Sequence, residues 1–159
     1  MNTLTTVTVI LALIGSALIG GIFFAFSSFI MKALARLPSS EGMAAMQSIN
    51  VVVLNPLFLG VFMGTAVISL LVSILAIWEW EMPAAPYYLI GALLYIVGTF
   101  LVTGMGNVPL NNQLAAVTVN DSAARDIWQH YLVRWTRLNT IRMVSATVAA
   151  VMILIGLLK

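Results

Sequence analysis

Five residues near the C-terminal end, Trp128, Tyr131, Trp135, Asn139 and Arg142, follow one another at three- and four-residue intervals. On a helix turning ~100° per residue they share an arc of about 80°. That face carries two indoles, a phenol, a carboxamide and a guanidinium, and it continues through Ala146, Ala149 and Ile153. Two further polar clusters accompany it: Gln47, Asn50 and Asn55, and then Asn107, Asn111 and Asn112 in NVPLNNQL. An apolar cavity lined by such groups suits a flat, hydrophobic, weakly acidic aromatic molecule. Its rings would stack on the indoles while Arg and Asn bond its phenolate or carbonyl oxygens. An interfacial aromatic belt, with Arg142 reaching lipid phosphates, explains the same rings. A belt has no need of Asn139, however, and amides in apolar surroundings require partners. Arg137, nearly opposite the stripe, and Arg134, to one side of it, are expected at lipid phosphates.

Other chemistries find few residues to use. His130 is the only histidine, lies off the stripe and is expected at the solvated surface. With a single His and no Cys, the usual zinc and non-haem iron triads cannot be assembled, so no metal is expected. No carboxylate pair lies inside an apolar stretch, which speaks against a proton relay or cation pump. No Gly-rich phosphate loop occurs in a strand–helix context.

The elements that must position these residues follow from where the charges are absent. Seven Lys/Arg and five Asp/Glu occupy 159 residues, and they fall at 32–41, at 79 and 81, between 121 and 142, and at 159. Between them lie four uncharged apolar stretches, at about 4–31, 55–78, 87–105 and 141–158, of the order needed to cross a bilayer at ~1.5 Å per residue. A 62% hydrophobic composition with 8% charged residues would leave a soluble domain without a polar surface. The fold class is therefore all-α: a single membrane domain, 1–159, built as a transmembrane four-helix bundle with short amphipathic helices at its cytoplasmic face. The N-terminus lacks a basic region and a clear cleavage site and reads as a retained span. Lys32 and Arg36, and then Arg125, Arg134, Arg137 and Arg142, flank the spans on one side, whereas EWEMPAAPYY is acidic. The positive-inside bias puts the basic segments in the cytoplasm and both termini outside it. Trp78, Trp80, Tyr87 and Tyr88 are expected at the opposite interface. The net charge of +2 rests on too few groups to suggest nucleic acid.

Local signals add detail. Asn55-Pro56 reads as an N-cap followed by the first helical residue. Ser39-Ser40-Glu41 is expected to cap one cytoplasmic helix and Asn120-Asp121-Ser122 another, the latter running unbroken into the fourth span. The breaker-rich GMGNVPLNN is expected to end the third span. Gly60 and Gly64 form a small-xxx-small pattern suited to close helix approach, and the small-residue faces would suit a homodimer. The order span, cytoplasmic helix, span, short turn occurs twice, a faint two-plus-two repeat.

Four segments then carry a likeness: GGIFFAFSSFIMKALARLP, AMQSINVVVLNPLF, YIVGTFLVTGMGNVPLNNQL and WQHYLVRWTRLNTIR. Through them nearly the whole chain resembles the anthrone oxygenase-like family of small four-span membrane proteins. The resemblance implies a bacterial inner-membrane protein related to fungal enzymes that oxidise anthrones to anthraquinones without an organic cofactor. It carries over Asn50, Asn55, Asn107, Asn112, Trp128, Trp135, Asn139 and Arg142 as recurrent polar positions, while relatives often have His where this chain has Thr140. On that reading Arg142 stabilises negative charge, Asn139 and Asn112 position oxygens, Trp128 and Trp135 wall the ring, and Tyr131 relays a proton. Asn107, Asn50, Asn55 and Gln47 complete the substrate-binding set. Two functions follow as expectations. One is a cofactor-independent oxygenase-like enzyme acting on a lipophilic hydroxylated aromatic of anthrone or hydroquinone type. The alternative is a non-catalytic membrane protein binding a lipid, quinone or partner helix in the same cavity.

Overall fold

The computed structural model describes residues 3–118 and 124–159. Among them the chain forms five helices: α1 (Thr3–Ala35), α2 (Ser39–Val52), α3 (Pro56–Trp78), α4 (Ala85–Ala115) and α5 (Ala124–Leu157). All but α2 are long and apolar enough to cross a membrane. In lipid a segment must satisfy its own backbone groups, and a helix does so internally. The four long helices form a closed ring, α1 against α3, α3 against α4, α4 against α5, and α5 back against α1. This is a multi-pass membrane architecture.

The helix ends have local causes. Asn55 accepts the Phe58 backbone N–H at 3.0 Å and Pro56 occupies the first turn, as expected for an N-cap. The expected cap of α2 is different. Its first helical residue is Ser39, the capping position falls to Pro38, and no side chain caps the end. Asn120, Asp121 and Ser122 lie outside the described residues. Gly42 lets α2 fold back across the end of the bundle, since a Cβ there would stand 2.6 Å from the Leu34 carbonyl and 3.0 Å from the Trp128 ring.

The third span does not stop where its glycines and Pro109 suggested. It continues to Ala115 through two π-helical stretches, Leu94–Leu101 and Thr103–Asn107. The α-helix then resumes at Val108, with Pro109 in its first turn. Pro109 cannot supply an N–H to the carbonyls of the preceding turn, and the wider turns upstream give its ring room. A third π stretch, Phe26–Ile30, interrupts α1. The second expected cytoplasmic helix is the first part of α5, which runs unbroken from Ala124 into the fourth span.

The core is layered along the bundle. At the end near both chain termini, Val9, Ala12, Val72, Ala76, Ala85 and Ala92 meet Tyr88 and Ile153. Tyr88 therefore faces the core and not the interface, whereas Trp78 and Trp80 are exposed as expected. The middle layer joins Ile19, Phe23, Phe62 and Tyr95 to Ala146 and Ala149. Toward the arginine-rich end, Met31, Met43, Met46 and Leu114 enclose Trp128, Tyr131 and Trp135. Gly60 and Gly64 play no part in this packing, because a Cβ on either would meet nothing within 4 Å. Close approach is made instead by Gly98 against Ser145 and by Gly15 against Thr65.

Candidate functional site

Helix α5 is an unbroken α-helix, and its phase keeps Trp128, Tyr131, Trp135, Asn139 and Arg142 on one buried face. Arg137 and Arg134 are exposed. Between the middle layer and the arginine-rich end this face borders a cavity of about 370 Å³, within the ~300–1,000 Å³ typical of small-molecule sites. The wall is mostly apolar, formed by residues that include Phe23, Phe26, Met46, Phe58, Phe62 and Phe100. Among the described residues its polar side chains are Asn50, Thr103, Asn111, Trp135 and Arg142, with no carboxylate and no imidazole.

Arg142 is the one Lys, Arg, Asp or Glu that is buried among the described residues, at 4% exposure. Its Nη1 donates to Thr103 Oγ1 at 3.1 Å and its Nη2 to Asn139 Oδ1 at 2.7 Å. The guanidinium carbon lies 4.1 Å from the centre of the Phe23 ring and 5.2 Å from that of Trp135. Nε has no partner, and among the described residues the group pairs with no carboxylate. A buried cation without a counter-ion is costly, and it borders a cavity whose remaining walls are mostly apolar, with the amides of Asn50 and Asn111 among them.

Asn139 holds that cation in place. Its Nδ2 donates to the Phe23 carbonyl and to Ser27 Oγ, both at 2.7 Å, which leaves Oδ1 for Arg142. Asn139 is fully buried behind Arg142 and does not reach the cavity wall. Thr99 and Asn107 fix α4 on α5: Thr99 Oγ1 donates to the Arg142 carbonyl and Asn107 Nδ2 to the Trp135 carbonyl, each at 3.2 Å. Asn107 is thus bound to the backbone of a wall residue and does not itself line the cavity.

A second network lies beside Arg142. Asn111 Oδ1 accepts from Trp135 Nε1 at 2.8 Å and from Tyr131 Oη at 2.9 Å. Asn50 Nδ2 donates to the Tyr131 oxygen at 3.3 Å. With its carbonyl used twice, Asn111 has its NH₂ to offer the cavity, while Asn50 has its carbonyl oxygen to offer. Tyr131 connects the two amides from behind the wall. The cavity therefore presents donors at Arg142 and Asn111 and an acceptor at Asn50, beside the Trp135 and Phe26 rings, whose centroids are 5.5 Å apart.

Other candidates are placed elsewhere. Trp128 stacks on Tyr131 with ring centroids 5.8 Å apart, under α2 and away from the cavity. Asn112 is exposed; its neighbour Asn111 takes the inward position, because the π stretches upstream shift the phase of α4. Asn55 is spent on capping α3, where its Nδ2 also donates to the Val52 carbonyl. Gln47 Nε2 ties α2 to the end of α4 by donating to the Leu114 and Val117 carbonyls. Thr140 is exposed, donates to the Thr136 carbonyl and lies 3.0 Å from Ser27 Oγ, so this position is not on the cavity wall. His130 is likewise exposed, beside Asp126 in a separate groove.

The family model for anthrone oxygenase matches residues 57–152. This chain belongs to the anthrone oxygenase family. No curated protein and no solved structure matches it at a significant level. The matched region includes α3, α4 and α5 up to Met152, and with them Thr103, Asn111, Trp135 and Arg142. Membership supports an oxygenase-like function in this coarse sense. The cavity also depends on residues outside that region, Phe23 and Phe26 from α1 and Asn50 from α2.

Proposed function

We propose that this member of the anthrone oxygenase family oxidises a flat, lipophilic, hydroxylated aromatic of anthrone or hydroquinone type, without a cofactor, in the cavity beside Arg142. The observation that carries the proposal is the buried Arg142 guanidinium on the cavity wall, which has no counter-ion among the described residues. Such a group gains most from a ligand that is, or becomes, an anion. An anthrone can lose a C–H proton to give an aromatised phenolate, and Arg142 would favour that ionisation by bonding its oxygen. Among the described residues the wall holds no carboxylate or imidazole to take the proton; in this reading the proton passes to water and the protein acts through electrostatics and orientation.

The electron balance is simple. The phenolate gives one electron to O₂, the resulting radical and superoxide combine at the former C–H carbon, and the protonated peroxide loses water. Anthrone and O₂ thus become anthraquinone and H₂O. A hydroquinone would instead return H₂O₂. We also propose a bacterial inner membrane as the setting, with the arginine-rich end in the cytoplasm and both termini outside it, on the positive-inside bias.

The test is O₂ uptake by the purified protein in lipid nanodiscs, with an anthrone as substrate. Stoichiometric uptake that exceeds the spontaneous rate and falls ~10²-fold in Arg142→Met supports the enzyme. Arg142-dependent binding of the anthrone with no acceleration would favour the non-catalytic binding protein, a reading that the lack of a base in the wall supports. Neither binding nor turnover would overturn the site.

A further inference from the structure

The cavity does not close around a ring-sized molecule. Helix α3 packs on the outer part of α4 and parts from it at Thr103–Asn107. On α3, Leu59 and Met63 turn toward α4, because Thr65 on the other side of the inward Phe62 is the residue that meets α1 at Gly15. On α4 the facing residues are Leu101, Gly104 and Met105. All five line the cavity, yet Met63 is 48%, Leu101 42% and Met105 80% exposed on the outside of the bundle. A Cβ on Gly104 would meet nothing within 4 Å. Met63 lies seven residues into α3 from Pro56, a depth of ~10 Å along the helix. The opening therefore faces acyl chains, and it is lined by thioethers and branched aliphatics, not by headgroup-binding residues.

Resting on the functional reading above, we infer that the ligand carries an aliphatic tail. Its hydroxylated ring lies at Arg142, Asn111 and Asn50, and its tail leaves sideways between α3 and α4 into the bilayer. The polar groups and the opening border the same cavity, so a single amphiphile satisfies both. The ring end supplies the anion that Arg142 lacks. The tail end has flexible Met63 and Met105, which adapt to a chain of variable shape. Such a ligand dissolves in the leaflet and reaches the site without crossing water.

The experiment compares methylhydroquinone with decylhydroquinone, bound anaerobically to the protein in phosphatidylcholine nanodiscs. Each ligand is compared between wild type and variant, so its partition into lipid cancels. Gly104→Trp fills the opening from α4, and Met63→Trp fills it from α3, an independent variant should the first fail to fold. The expected result is at least a tenfold loss of decylhydroquinone affinity, with methylhydroquinone changed less than threefold. Equal changes for the two ligands, or none, would overturn the tail path. Arg142→Gln distinguishes the two levels: it should weaken both ligands alike. If it weakens neither, the ring site itself is wrong, whatever the opening variants do.

Discussion

Replacing Arg142 by Met should remove ligand binding while leaving the bundle about as stable as before. The substitution deletes two hydrogen bonds from a charged donor, to Thr103 and to Asn139, each worth about 1.5–3 kcal/mol. It also deletes the contact with the Phe23 face, worth about 1–2 kcal/mol. Against this stands the cost of holding an unpaired cation in an apolar interior, several kcal/mol even after relaxation. Thr103 keeps its 2.8 Å bond to the Thr99 carbonyl, so only Asn139 Oδ1 is left without a donor. An unbranched Met fills the vacated space beside Phe23 and Trp135. The opposing effects nearly cancel, and the expected change in stability is within about 2 kcal/mol of zero, or roughly 5 °C in the unfolding midpoint.

Binding should respond quite differently. Losing the one charged donor aimed into the cavity should weaken a phenolate or hydroquinone by about 10- to 100-fold. Arg142→Lys retains charge but not the planar fork that serves Thr103, Asn139 and the ligand together, so about a tenfold loss is expected. The assay is thermal unfolding and ligand titration on the same nanodisc samples. If Arg142→Met unfolds or aggregates while Arg142→Lys is fully stable, the buried positive charge is a structural strut, and the reasoning from a costly unpaired cation is refuted.

Three more predictions concern the surroundings. Asn111→Leu leaves the Trp135 and Tyr131 donors without their acceptor and should weaken ligand binding about tenfold, whereas exposed Asn112→Leu should change it less than twofold; titration of both variants decides between them. Gly98→Ala would drive a methyl group into the Ser145 side chain and should destabilise by about 1–3 kcal/mol, with Ser145→Gly restoring most of the loss, measured as midpoints of the single and double variants. Reporter fusions after Ser39 and after Lys159 should give opposite topology signals, cytoplasmic for the first and external for the second, and equal signals would overturn the proposed orientation.

The spans were legible because lipid leaves a chain few options, and charge-free apolar runs show where it crosses. The inward face of α5 was legible for a geometric reason: a straight α-helix carries a fixed phase from Trp128 to Arg142, so spacing alone puts both at the core and Arg137 outside. The same counting fails on α4. Each π turn advances the chain by an extra residue, and the stretches at 94–101 and 103–107 come between the span and its polar end. Asn111 and Asn112 differ by ~100°, and without the phase nothing in NVPLNNQL distinguishes them. Gln47 and Asn55 misled in another way. They are polar residues near helix ends, where open backbone carbonyls and N–H groups compete for any side-chain amide, and both are used there.

The π stretches also tie the fold to the site. They occur in α1 and α4, and both helices border the cavity, whereas α3 and the described part of α5 have none. At the entrance to the α1 stretch, the Phe23 carbonyl and Ser27 hydroxyl are held by Asn139, which in turn holds Arg142. At the end of the first α4 stretch and within the next, Thr99, Thr103 and Asn107 reach the Arg142 carbonyl, its guanidinium and the Trp135 carbonyl. A regular helix through either segment would turn these side chains elsewhere. The irregular turns are therefore what orient an arginine that lipid would otherwise draw toward headgroups, and they hold it facing a space that opens sideways between α3 and α4. A bundle of four regular helices could bury the same residues, but it would supply neither the bonds that hold Arg142 at the cavity nor the path to it.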